Sequence, residues 1–194
     1  MHSIATDSDL IAVSLDDPAV FARIFDRHYV EIHGFVQRRL GTPLADRIAA
    51  RVFVEAFRER ATFNGRADAR PWLYGIATAQ IGRHHRRERR LLRAYARRGP
   101  SLMSEAPLAA RERSGPRAAS RALARAVARL DGPERDALLL GAWTGFERAQ
   151  LAQALGCDER EARNRLAEAR RRVITTAEVQ LTTTAADRPI ARAG

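Results

Sequence analysis

Apolar positions along this chain recur at three- and four-residue spacing almost from end to end, and no stretch alternates with the period of two expected of a half-buried strand. The pattern predicts an all-α protein. Asp17-Pro18 is a helix start, a capping acid followed by proline in the first turn. Behind it Phe21, Ile24, Phe25, Ile32, Phe35 and Leu40 mark an apolar stripe that Gly41-Thr42-Pro43 breaks. A second helix carries Ile48, Val52, Phe53, Ala56 and Phe57 on its inner face. Asn64-Gly65 signals a turn. A third helix opens at Pro71, with Trp72, Leu73, Ile76, Ala77 and Ile81 on one side. Three such helices with short connections make a small bundle.

The period then lapses. Residues 99–118 hold three prolines, two glycines and three serines with little periodicity, the composition of a flexible linker. Helical spacing resumes with Leu123, Val127 and Leu130. Asp131-Gly132-Pro133 punctuates, residues 138–143 give another apolar helix, and Gly145 ends it. Two last helices are expected over 147–155 and 159–180, joined by Gly156-Cys157-Asp158. The resulting division is an N-terminal bundle over 1–98, the linker 99–118, a C-terminal helical unit over 119–180 and a frayed, disordered tail over 181–194.

Charge changes this picture at one place. The formal net charge is +11, yet residues 1–82 are neutral and residues 83–98 alone carry +7, with Glu88 the sole acid there. The helix that begins at Pro71 therefore runs from an apolar half into an arginine track containing Arg83, His84, Arg86, Arg87 and Arg90. Concentrated positive charge without counter-charge favours a polyanion over simple solvation. All 34 basic residues are arginine. Its planar fork binds phosphate or guanine through two hydrogen bonds and stacks on bases.

A second signal lies in residues 150–173, QLAQALGCDEREARNRLAEARRRV, which have helix-turn-helix form. Leu151, Ala152 and Leu155 pack the first helix, Gly156 supplies the tight exit, and Asp158 is placed to cap the second helix. On that helix Ala162, Leu166, Ala169 and Val173 face inward. Arg160, Arg163, Asn164 and Arg170 then face outward, with Arg165 nearby. Arginine and asparagine near the start of a recognition helix read guanine and adenine edges.

Several functions are excluded or disfavoured. There is no phosphate-cradling glycine loop, nucleophile elbow or histidine pair at metal spacing, so the chain is read as a non-enzyme with no metal or cofactor. His84 and His85 are adjacent and lack the acid or cysteine that would complete a metal set. Cys157 is alone and is expected to pack as a small hydrophobe. With no apolar run of about eighteen residues and no signal peptide, no membrane insertion is expected and a cytoplasmic location follows.

Taken together, these motifs resemble the extracytoplasmic-function sigma factors of bacterial RNA polymerase. The segments DSDLIAVSLDDPAVFARIFDRHY, LADRIAARVFVEAF and ADARPWLYGIATAQIGRH are similar to the family's core-binding and promoter-melting domain. VARLDGPERDALLL and residues 150–173 are similar to its −35-reading domain. The resemblance implies a specificity subunit that directs promoter recognition and initiation, with RNA polymerase core, promoter DNA and an anti-sigma factor as partners. It implies contact with the clamp helices of the polymerase β′ subunit through the helix holding Asp46, Ala50, Arg51 and Phe53, and with the β flap. It places Phe63, Asn64, Gly65 and Arg66 in the loop that captures an extruded −10 base. Trp72 and the basic helix after it fall on the surface that holds the opened strand, and Arg163, Asn164 and Arg165 fall in the major-groove segment. The sequence departs from the family pattern at Arg51, where an acid is usual, at Ala79 for an asparagine, at Arg160-Glu161 for a small Gly-Thr pair, and at Glu168 for an arginine. The departures at Arg51, Ala79 and Glu161 leave open a sigma-like DNA-binding regulator with weakened core binding, and the arginine track leaves open a basic-helix protein that binds RNA or an anionic surface through residues 83–98.

Overall fold

The computed structural model describes residues 5–63, 67–97 and 117–186. All regular structure among them is helical: α1 (Asp7–Val13), α2 (Ala22–Leu40), α3 (Thr42–Glu59), α4 (Arg70–Arg97), α5 (Arg117–Arg129), α6 (Gly132–Trp143), α7 (Arg148–Leu155) and α8 (Glu159–Ala186), with short 3-10 turns at Pro18–Phe21 and Arg60–Thr62. The all-α expectation is met. Residues 98–116, most of the expected linker, lie outside the described residues, as does the chain after Ala186.

Two compact units form: Met1–Gly99 with Phe146–Asp158, and Pro100–Gly145 with Glu159–Gly194. In the first, α2, α3 and α4 pack around Ile24, Ile32, Phe35, Ile48, Val52, Leu73 and Ile81, each at most 2% exposed. Asp17 caps the 3-10 turn through the Ala19 N–H (3.1 Å), and the chain passes from that turn directly into α2. Gly41, at φ 79°, makes the break between α2 and α3, a conformation in which a side chain would be strained. The pattern gave no helix at α1, yet Thr6 and Asp9 close a capping box there and Leu10 and Ile11 are buried.

α7 belongs to this first unit. Phe146 sets its ring edge-on against Tyr74, with centroids 5.3 Å apart, and the Arg70 guanidinium lies 5.2 Å from the same ring. The Gln150 amide donates to Asp68 (3.1 Å). Gly75 lets the helices close, since a Cβ there would stand 3.3 Å from the Ala154 carbonyl oxygen. Gly156, left-handed at φ 64°, ends α7.

In the second unit α5 and α6 pack on α8 through Ala126, Leu130, Ala169 and Val173. Arg135 ties the end of α5 down, donating to the carbonyls of Val127 (3.2 Å), Ala128 (2.7 Å) and Leu130 (2.6 Å). Asp131 and Glu134 form the capping box that starts α6, and Arg172 on α8 reaches both Glu134 oxygens, at 2.7 and 2.6 Å. α8 continues past Gln180 to Ala186, because the threonines and alanines there contain no helix breaker before Pro189.

Candidate nucleic-acid interface

α4 changes character along its length. Leu73, Tyr74, Ile76, Ala77 and Ile81 are buried, and after Ile81 no residue up to Arg93 is. Arg83, Arg86, Arg87, Glu88, Arg89 and Arg90 are exposed, with Leu91 and Leu92 beside them at 48% and 62%. His84 and His85 turn toward Glu88, at 3.3 and 3.7 Å. Among the described residues no group of three potential ligands surrounds a metal position. The arginine track from Arg83 to Arg90 is thus a solvent-facing helical ridge with one acid, Glu88, within it.

The start of α4 is held by acids. Asp68 accepts the Arg70 N–H (2.8 Å). Glu31 on α2 accepts from Arg70 Nε (3.2 Å) and from the Tyr74 hydroxyl (2.9 Å). Burial, reinforced by the neighbouring Glu31 charge, pushes the Tyr74 hydroxyl far above its ordinary range, so it stays a donor. Asp7 on α1 is 7% exposed and accepts the buried Ala69 N–H (3.0 Å), with His28 and Arg27 at the same carboxylate. Trp72 is half-buried, its ring 5.2 Å from that of Phe63, so these two aromatics stand side by side at the rim. Asn64, Gly65 and Arg66 lie outside the described residues. Ala79 is exposed on α4 and offers no polar group.

α8 presents the second surface. Ala162 and Ala169 are buried, while Arg160, Arg163, Asn164 and Arg170 are exposed. Arg165 is half-buried and paired with Glu161 four residues earlier. The same side chains that the spacing assigns outward are therefore outward, except that Glu161 engages Arg165 and Glu168 pairs with Arg171.

The residues expected to meet polymerase divide in the same way. Asp46, Ala50 and Arg51 are exposed on α3, and Asp46 accepts from His33 Nε2 at 2.8 Å. Phe53 is 5% exposed and packs against Phe25 and Tyr29, with centroids 5.0 and 6.1 Å apart. It is buried beneath, while Val54, the next residue on α3, is 49% exposed. The spacing missed three polar contributors, Asp7, His28 and Glu31. The Thr6–Asp9 capping spacing was the available sign of α1.

Two family models match the chain in order: Sigma-70 region 2 over residues 24–98 and Sigma-70, region 4 over residues 120–173. Among solved structures, the sigma factor RpoE of Bartonella quintana, in complex with the anti-sigma factor NepR, is 19% identical with a TM-score of 0.58, covering 82% of this chain and 97% of that one. CnrH, in complex with the cytosolic domain of CnrY, is 19% identical with a TM-score of 0.60, covering 89% and 97%. These likenesses show a shared fold. No curated protein matches. The chain belongs to the sigma-70 family, in its extracytoplasmic-function type. It is an RNA polymerase sigma factor for promoter recognition, with polymerase and promoter DNA as partners; the family is not enzymatic. No helix among the described residues is long and apolar enough to cross a membrane.

Proposed function

We propose that the two arginine-bearing surfaces divide promoter recognition between them. The exposed face of α8, with Arg160, Arg163, Asn164 and Arg170, reads duplex in the major groove at the −35 element, and Arg165 contributes as far as its pairing with Glu161 allows. Arg83, His84, Arg86, Arg87 and Arg90 on α4 hold the phosphates of the opened strand near −10. The Phe63–Trp72 pair supplies a stacking platform for unpaired bases, and Asn64, Gly65 and Arg66 take the extruded base. The observation that carries this reading is that α4 buries one face as far as Ile81 and no residue from there to Arg93, the stretch in which the arginines begin. A helix with no packing duty and this much charge binds a backbone, and aromatic rings beside it hold bases.

Docking on polymerase falls to the exposed Asp46, Ala50 and Arg51 surface of α3 against the β′ clamp helices, with Phe53 supporting it from beneath, and to the region 4 half against the β flap. The RpoE and CnrH structures each contain a bound protein partner. An anti-sigma factor acting on this chain in the cytoplasm completes the proposal.

Footprinting of the assembled holoenzyme tests the division. Replacing Arg163 and Asn164 by alanine erases protection around −35 and leaves core association intact. Replacing Arg83, Arg86, Arg87 and Arg90 by glutamine leaves −35 protection and removes strand opening. If the two sets of variants lose the same protection, the division is wrong.

A further inference from the structure

Region 2 matches from residue 24, so α1 lies ahead of the matched range. Its Asp7 nevertheless reaches the start of α4, 62 positions away in sequence. One carboxylate oxygen accepts from the Ala69 N–H (3.0 Å) and His28 Nε2 (2.8 Å), and the other from Arg27 Nη1 (3.0 Å). An ionised carboxylate only accepts, so His28 donates through Nε2.

Burying a carboxylate is expensive, and an apolar residue would anchor α1 at less cost, as Leu10 and Ile11 beside it already do. The charge gains something an apolar residue could not supply, a hold on a backbone N–H ahead of the first turn of α4. The opening N–H groups of a helix have no partner within the helix, and negative charge is favoured there. Asp68 takes the Arg70 N–H from close by, and Asp7 takes the Ala69 N–H from another helix. Ala69 is fully buried, and its carbonyl accepts the Leu73 N–H (3.0 Å). Fixing Ala69 therefore fixes the direction in which α4 leaves, and with it Trp72, three residues on, opposite Phe63.

We infer that Asp7 is a positioning residue for strand binding: it clamps the backbone ahead of α4 so that the Phe63–Trp72 pair is set before DNA arrives. The inference rests on the reading of that pair as a stacking platform. The test uses the full chain bound to core polymerase, with fluorescently labelled single-stranded deoxyoligonucleotides of mixed sequence as the probe. Trp72→Ala weakens binding about tenfold, the scale of one lost stacking contact. Asp7→Ala weakens it about fivefold, the scale of one lost helix cap. Added to Trp72→Ala, Asp7→Ala produces no further loss; added to Arg90→Ala, it produces the full fivefold. A general loss of folded protein would weaken binding equally in both backgrounds, and that result overturns the inference. Normal binding by the Asp7 variants beside a weakened Trp72→Ala overturns the inference alone. Normal binding by Trp72→Ala overturns the platform and the inference together. Asp7→Asn, which keeps the side chain's shape, carries the same cycle where Asp7→Ala does not accumulate.

Discussion

The two arginine-bearing helices stand on different foundations. α4 is anchored at its beginning by Leu73, Tyr74, Ile76, Ala77 and Ile81, and from there to Arg93 carries exposed arginines and no buried residue. α8 is packed at Ala162, Ala169 and Val173, so its exposed side chains ride on a helix with fixed rotation. The difference matches two kinds of recognition. A backbone of phosphates asks for charge density and tolerates motion, whereas base edges ask for side chains at set positions. Small alanines on the packed face of α8 and closely spaced arginines on α4 are the sequence forms of those two demands.

The sharpest way to break the comparison is to loosen the packed helix. Leu130→Ala removes a residue 4% exposed from the cluster holding α8 and is expected to cost about 3 kcal/mol in urea unfolding of the second unit. Duplex binding at −35 should weaken with it, and single-strand binding through α4 should not. Next in size, glutamine at Arg83, Arg86, Arg87 and Arg90 should weaken single-strand binding on the order of a hundredfold and flatten its salt dependence, since fewer counterions are released. Stability should be unchanged, because these residues are exposed.

Acid acts on the anchored start of α4. Burial alone would raise the Asp7 carboxyl, but the hydrogen bonds from His28 and Ala69, the His28 charge and Arg27 outweigh it and hold the group at about 2 against an ordinary 3.8. A carboxylate held low contributes stability above its unfolded value and loses it as pH falls. About 2 kcal/mol should therefore disappear between pH 4 and pH 2 in acid unfolding of the wild type, and this slope should be missing from Asp7→Asn. Smallest is Asn164→Ala, expected to cost about tenfold at a single base position and to relax preference there alone. A uniform loss over all sequences would place Asn164 on a phosphate.

The helices were legible because their cores obey a local period: Ile48, Val52 and Ala56 on α3, or Ala162, Ala169 and Val173 on α8, each show their face within two or three turns. The charge step at Arg83 was equally plain. What the period could not show is what depends on distant partners. Phe53 has the spacing of an inward residue and also the position of a family docking residue; Phe25 and Tyr29 decide that it lies beneath the surface. Arg165 falls near the outward face by spacing, and only the fold shows that Glu161 takes hold of it. Asp7 reads as one polar residue among several, and only the fold brings Ala69 and His28 to it. α7 has the pattern of the first half of a helix-turn-helix, and its contacts with Asp68 and Gly75, like that of Phe146 just ahead of it with Tyr74, have no local signature.

The central claim is that this chain directs RNA polymerase to promoters, with α8 reading duplex and α4 holding the opened strand. The most direct measurement is reconstituted transcription with core polymerase, the purified chain and a pool of fragments from its own genome, with start sites mapped by sequencing the transcripts. Initiation at discrete sites sharing two spaced elements is the predicted result, lost when the four α4 arginines become glutamine and redistributed when Arg163 and Asn164 become alanine. Core polymerase that binds the chain and still starts at no discrete site would contradict it.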